Sequence, residues 1–173
     1  MESTAWQGKF IKVTTEVIND IEWERTYIPH GVVIFPVTAE GKFIVIKERR
    51  LHETPPIRLK MVTGMLDAGS DPAENANREL QEEIGLKAGK LIPFWQHRSS
   101  GTVNSVTHFF LAKNLIKNKL PNPDGEDVIE EVLELSLDEL RQKVDLEEMR
   151  WGVGVMGFLR LDQFIRQGKL SLT

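Results

Sequence analysis

The chain of 173 residues is the size of one ordinary domain, and its 40% hydrophobic and 28% charged residues are those of a globular protein rather than a disordered one. A formal net charge of −4 gives no overall attraction to nucleic acid or anionic membrane, so neither is an expected partner and a phosphorylated ligand must be held by local cations. The lack of cysteine excludes a disulfide framework and a thiolate metal site, no apolar run is long enough to span a membrane, and residues 1–10 lack the layout of a signal peptide, so the cytoplasm is the expected location.

Taken in chain order, residues 9–17 and 21–28 mix alternation with β-branched side chains and read as two strands of a hairpin. Trp23 in the second is either core or a flat surface on which a nucleobase stacks. His30-Gly31 marks the start of the next strand, and His30 is read as structural. Residues 32–37 and 43–46 are short apolar strands separated by a turn at Glu40-Gly41. Lys47, Glu48, Arg49 and Arg50 then end the second of them with charge. Such a cluster is either a solvated strand edge or a clamp on phosphate oxygens. Residues 52–56, with two prolines, form a loop, and residues 59–63 lead into the most informative segment.

That segment, residues 64–86, reads GMLDAGSDPAENANRELQEEIGL. Asp71 can cap a helix, Pro72 suits its first position, Glu74 can close a capping box, and Gly85 can stop it. At about 100° per residue Ala73, Ala76, Leu80 and Ile84 share one stripe, while Glu79, Glu82 and Glu83 share the neighbouring face. An exposed like-charge pair four residues apart costs only about 0.2–0.5 kcal/mol, so spacing alone leaves a solvated acidic face and a functional site both open.

Further on, residues 91–95 and 106–112 read as strands flanking a polar loop at 96–105. Residues 114–127 lack periodicity and form a long Pro-rich, acidic loop, a length that often marks a functional lid. Residues 131–135 alternate as a strand, Ser136 and Glu139 form a capping box for a helix to about residue 144, and residues 150–167 form a last helix stopped by Gly168.

The segment from Gly64 resembles the Nudix box, G-x5-E-x7-R-E-U-x-E-E-x-G-U with U aliphatic. Gly64, Arg78, Glu79, Leu80, Glu82, Glu83, Gly85 and Leu86 match in register, and Ser70 stands where the box has its first Glu. Met61-Val62-Thr63-Gly64-Met65 is similar to the ADP-ribose pyrophosphatase branch, whereas Arg98-Ser99-Ser100-Gly101 stands where that branch has a Pro-Gly element. The resemblance implies an α/β sandwich with a mixed sheet between helices and the box as loop-helix-loop. It implies residues 1–30 as N-terminal strands that join a homodimer, and residues 31–173 as the hydrolase domain.

It also implies roles. Glu79, Glu83, Glu126 and the Thr63 carbonyl would bind Mg2+ or Mn2+, hard ions that prefer oxygen. Glu82, Glu83 and Glu126 would carry the catalysis, with Glu130 second to Glu126 and Arg78 holding the acids in place. Arg50, with Arg49 beside it, matches the strand-end Arg that clamps phosphate in the ADP-ribose enzymes; Trp23 and Gly64 complete the expected substrate contacts. Asp67 and Asp71 are close enough in sequence to make up for Ser70. The implied reaction is metal-dependent hydrolysis of ADP-ribose or another nucleotide sugar to a nucleoside monophosphate and a sugar phosphate. Two alternatives are a nucleoside triphosphate or dinucleoside polyphosphate as substrate, and a sensor that binds a nucleotide without cleaving it.

Overall fold

The computed structural model describes residues 1–121 and 128–172. The N-terminal strands β1 (Ser3–Gln7), β2 (Lys12–Ile18) and β3 (Ile21–Tyr27) form an antiparallel sheet. Asn19 and Asp20 link β2 to β3, both with positive φ, as a two-residue hairpin turn of the twist-matched kind requires. The expected hairpin is present, and β1 adds a strand that the sequence pattern did not suggest.

The centre of the molecule is a mixed four-stranded sheet built from β4 (Gly31–Pro36), β7 (Val62–Met65), β8 (Leu86–Arg98) and β10 (Val106–Lys117). Its order is β7-β4-β10-β8, with β4 and β10 parallel and the other pairs antiparallel. The short strand β9 (Val103–Asn104) instead pairs with β3, tying the N-terminal sheet to this region. An antiparallel sheet of β5 (Phe43–Arg49), β6 (Ile57–Lys60) and β11 (Val128–Leu135) has the order β11-β5-β6.

Both faces of the central sheet are buried, which explains why β4 is continuously apolar rather than alternating. Val32, Ile34, Phe110 and Ala112 pack against Ala76 and Leu80 of helix α1 (Pro72–Glu83). Val33, Phe35, Phe109 and Leu111 face the opposite way, into a core shared with Phe43, Val45 and Leu59 and with Leu140, Phe158 and Leu161. The last three come from α2 (Leu137–Asp145) and α3 (Gly152–Arg166). The result is the expected α/β sandwich with a mixed sheet between helices.

Local signals placed the helices well. Asp71 accepts from the amides of Ala73 and Glu74, and Gly85 takes the positive φ that ends α1. Ser136 and Glu139 make both bonds of the capping box. The strands are longer than their apolar cores. β8 and β10 continue as a two-stranded ribbon, so residues 115–117, expected in a loop, pair with residues 86–88. Among the described residues, no helix is long and apolar enough to cross a membrane.

Candidate active site

Helix α1 is seated by its apolar stripe, and this turns its acidic side toward β7. Glu79 lies so close to Gly64 that a Cβ there would fall 2.1 Å from the Glu79 Cδ. Asn75 fixes the contact by donating to the Met65 carbonyl and to Glu79 Oε1, each at 3.2 Å. Arg78 spans the acids, with Nη2 3.3 Å from Glu79 Oε1 and Nη1 3.2 Å from Glu82 Oε2. Burial pushes the Glu79 carboxyl up to about 7; Arg78 opposes the rise, while Glu83 and Glu82 add to it.

Behind the helix lies a second charged layer. Glu48 on β5 is fully buried and is bound by Arg50 through Nε at 2.8 Å and Nη2 at 3.2 Å, and by Arg58 through Nε at 2.8 Å. Lys60, 1% exposed, places Nζ 2.8 Å from Glu48 Oε1 and 3.1 Å from Glu83 Oε1, and donates to the Thr63 hydroxyl at 3.0 Å. Burial alone would raise the Glu48 carboxyl, but Arg50, Lys60 and Arg58 outweigh it and hold it at about 2.

A cleft of about 620 Å³ opens between these layers, lined by Arg50, Arg58, Thr63, Gly64, Arg78 and Glu79 together with His30 and Trp151. The Arg58 guanidinium sits 5.7 Å from the centre of a Trp151 ring. His30 keeps its structural role as well, its Nδ1 accepting from the Val106 amide at 2.9 Å. Acids, guanidinium groups and a flat indole thus face one space.

The NUDIX domain model matches residues 28–152, most of the chain and all of the acidic helix. The chain is a Nudix hydrolase. An ADP-ribose pyrophosphatase of Bacillus subtilis (strain 168) is 33% identical over 150 residues, which cover 83% of this chain and 80% of the relative. A methanol dehydrogenase activator of Bacillus methanolicus is 31% identical over 147 residues, covering 80% and 78%. A solved structure described as an ADP compounds hydrolase has the same fold, with a TM-score of 0.80 at 20% identity over 98% of this chain and 95% of that one. The chain is therefore an enzyme of the ADP-ribose pyrophosphatase-like branch of the Nudix hydrolases, which act on small-molecule nucleotides and generally use divalent ions.

Within this Nudix site, Thr63, Gly64, Arg78, Glu79 and Arg50 come together at the cleft, with Glu82 and Glu83 on the same helix face behind them. Two expected substrate contacts lie elsewhere. Arg49 points to the other side of β5, as strand alternation requires, and pairs with Glu130 on β11. Trp23 is half exposed on the N-terminal sheet, opposite Glu16, so it is not core and does not line the cleft. Glu126 lies outside the described residues.

Around the missing box Glu of the Nudix helix, Asp67 is the neighbouring acid that lines the cleft. Ser70 donates to the Asp67 carbonyl, Asp71 is engaged in capping, and the Asp67 side chain is exposed, 4.0 Å from Arg78. Among the described residues no three His, Asp or Glu side chains gather closely enough to hold a metal ion by themselves. A hard divalent ion still fits beside Glu79, where a buried carboxyl crowded by like charge meets a main chain without side-chain bulk at Gly64. Such an ion would draw its remaining oxygens from the backbone, the substrate and any further carboxylate within reach.

Sequence reading missed Glu48, Arg58, Lys60 and Trp151 as site residues. A signal for the first three existed. Glu48 near the end of β5, with Arg50 just past it, and Arg58 and Lys60 on β6 are spaced two apart onto a common face, and the register sets Glu48 opposite Arg58.

Proposed function

We propose that this enzyme hydrolyses the pyrophosphate bond of ADP-ribose or a related nucleotide sugar, with Mg2+ or Mn2+, giving a nucleoside monophosphate and a sugar phosphate. The carrying observation is the cleft itself, which sets Glu79 and the Thr63–Gly64 main chain beside the Arg50 and Arg58 guanidinium groups and the Trp151 indole. The name of the 33% identical Bacillus subtilis relative points the same way.

In this reading Arg50 and Arg58, held by Glu48, bind nonbridging phosphate oxygens, for which a planar guanidinium is well shaped. Trp151 offers the base a flat apolar face. Glu79 and the Thr63 carbonyl would hold the ion, with Glu126 as a further ligand that the resemblance suggests; Glu83, the other acid it suggests, is ion-paired with Lys60. When bound, the ion neutralises the phosphate oxygens and the charge that builds on the leaving group. Arg78 keeps Glu79 and Glu82 at fixed spacing, and Glu82, Glu83 or Glu126 takes the proton from the attacking water.

On one face of the N-terminal sheet the register gathers Ile18, Ile21 and Trp23, all exposed, an apolar patch suited to a homodimer in the cytoplasm. Sedimentation at micromolar concentration tests this, and a monomer alone would refute it. The decisive assay incubates nucleoside diphosphate sugars, nucleoside triphosphates and dinucleoside polyphosphates with Mg2+ or Mn2+ and identifies products by mass. Release of AMP from ADP-ribose, lost in Glu79→Gln, is expected; binding without turnover of any of them would instead mark a sensor.

A further inference from the structure

Lys60 is a buried charge for which substrate binding has no use. Its ammonium is 1% exposed and does not line the cleft, yet it lies 3.1 Å from a carboxylate of the acidic helix. Its other partners are Glu48 at 2.8 Å and the Thr63 hydroxyl at 3.0 Å, so all three ammonium donors have an oxygen to meet. Glu48 already has two guanidinium partners, Arg50 and Arg58. Lys60 thus sets one fixed positive charge against both Glu48 and Glu83.

We propose that Lys60 is a tethered cation that takes the place of a second divalent ion, claiming Glu83 so that the helix holds a single ion centred on Glu79. Two opposing facts about a buried ammonium drive this. It neutralises the carboxylate as a metal would, and it repels any doubly charged ion brought to the same oxygen, strongly so where water is excluded. Ser70 acts in the same direction: it replaces a box carboxylate with an exposed hydroxyl turned to the Asp67 carbonyl, so the helix has one ligand fewer and one fixed cation more. Lys60 is a positioning residue, since it acts through Glu83 and not on substrate.

This rests on the reading of Glu79 as an ion ligand, and the test separates the two. Mn2+ is titrated into the full-length protein and counted by electron paramagnetic resonance, in wild type, Lys60→Met and Glu79→Gln. Wild type is expected to take one ion per chain near the helix and Glu79→Gln none, whereas Lys60→Met, with the fixed charge beside Glu83 removed, takes two. Mn2+ should also raise the melting temperature more in Lys60→Met than in wild type, which a merely structural lysine would not cause. Two ions in wild type overturn the proposal without any variant, so a Lys60→Met protein that fails to fold does not protect it. Equal counts and equal Mn2+-induced shifts in wild type and Lys60→Met also overturn it while leaving Glu79 as a ligand. No Mn2+ on any form overturns both.

Discussion

The carboxyl of Glu79 fills the space that a side chain on Gly64 would need, with Cδ only 2.1 Å from the position of a Cβ. Gly64 has no positive φ, so the requirement is room and not backbone freedom. Alanine there can be accommodated by swinging the far end of Glu79 aside. Gly64→Ala is thus expected to cost about 1 kcal/mol or less of stability but on the order of 10²-fold in kcat/KM, because a reacting group moves by about an ångström. Chemical denaturation and steady-state kinetics on the same preparation check it; equal activity in variant and wild type would refute it.

Glu48 is the carboxylate shared by three cations, Arg50, Arg58 and Lys60. Glu48→Ala leaves Arg50, Arg58 and Lys60 without their common carboxylate, and breaking one side of a buried ion pair costs about 3–5 kcal/mol. The pH dependence has a definite sign. The folded pKa of about 2 lies below the ordinary 4.5, so the contribution is complete above 4.5 and is lost as pH falls toward 2. That loss is on the order of 3 kcal/mol, read from urea unfolding of wild type against Glu48→Gln across this acid range.

Much of this site was legible because the box packs its information into one helix, where caps, apolar stripe and acidic face are all local. Asp71, Leu80 and Glu79 each follow from neighbours within a few turns. Lys60 and Glu48 do not, since their meaning depends on β5 and β6 pairing in a register that places them beside α1, and a buried lysine looks like a surface one until that pairing is known. Arg49 and Arg50 are adjacent in sequence and so face opposite sides of β5, a distinction that alternation supplies only once the strand is known to run through Arg49. Trp151 was missed because it stands just before α3, far in sequence from the box, and enters the cleft only through the fold.

Glu79 predicts a proton-coupled metal affinity. Its carboxyl is pushed up to about 7, so below that pH an ion must displace a proton. Apparent Mn2+ affinity should rise by up to about tenfold per pH unit below 7 and level off above it, as followed by calorimetric titration. In metal-free protein the same raised pKa makes the folded state the tighter proton binder, so this group's contribution to stability falls as pH rises from 4.5 through about 7. An affinity that does not change between about pH 6 and 8 would remove Glu79 from the ligand set.

Asp71 separates capping from metal binding. Its carboxylate accepts from the Ala73 and Glu74 amides at 2.8 and 2.9 Å, a task that asparagine performs about as well. Asp71→Asn should leave stability, rate and metal affinity unchanged, whereas Asp71→Ala should lower stability by about 1 kcal/mol. A drop in Mn2+ affinity in the asparagine variant, with the melting temperature preserved, would show that the charge of Asp71 reaches the ion.

Trp151 tests where the base sits. Its ring lines the cleft on the same side as Arg58, whose guanidinium is 5.7 Å from the ring centre, so an aromatic ligand can be held against one planar group near the other. Trp151 makes no side-chain cap to α3 but packs against the core, so the melting temperature of each variant is measured beside its kinetics. Stacking of a base on an aromatic side chain is worth about 1–3 kcal/mol, so Trp151→Ala should raise KM for ADP-ribose by roughly tenfold or more with kcat little changed, and Trp151→Phe should recover much of it. If Trp23→Ala has that effect and Trp151→Ala does not, the base binds at the N-terminal sheet instead, and the dimer would then have to bring that sheet to the cleft.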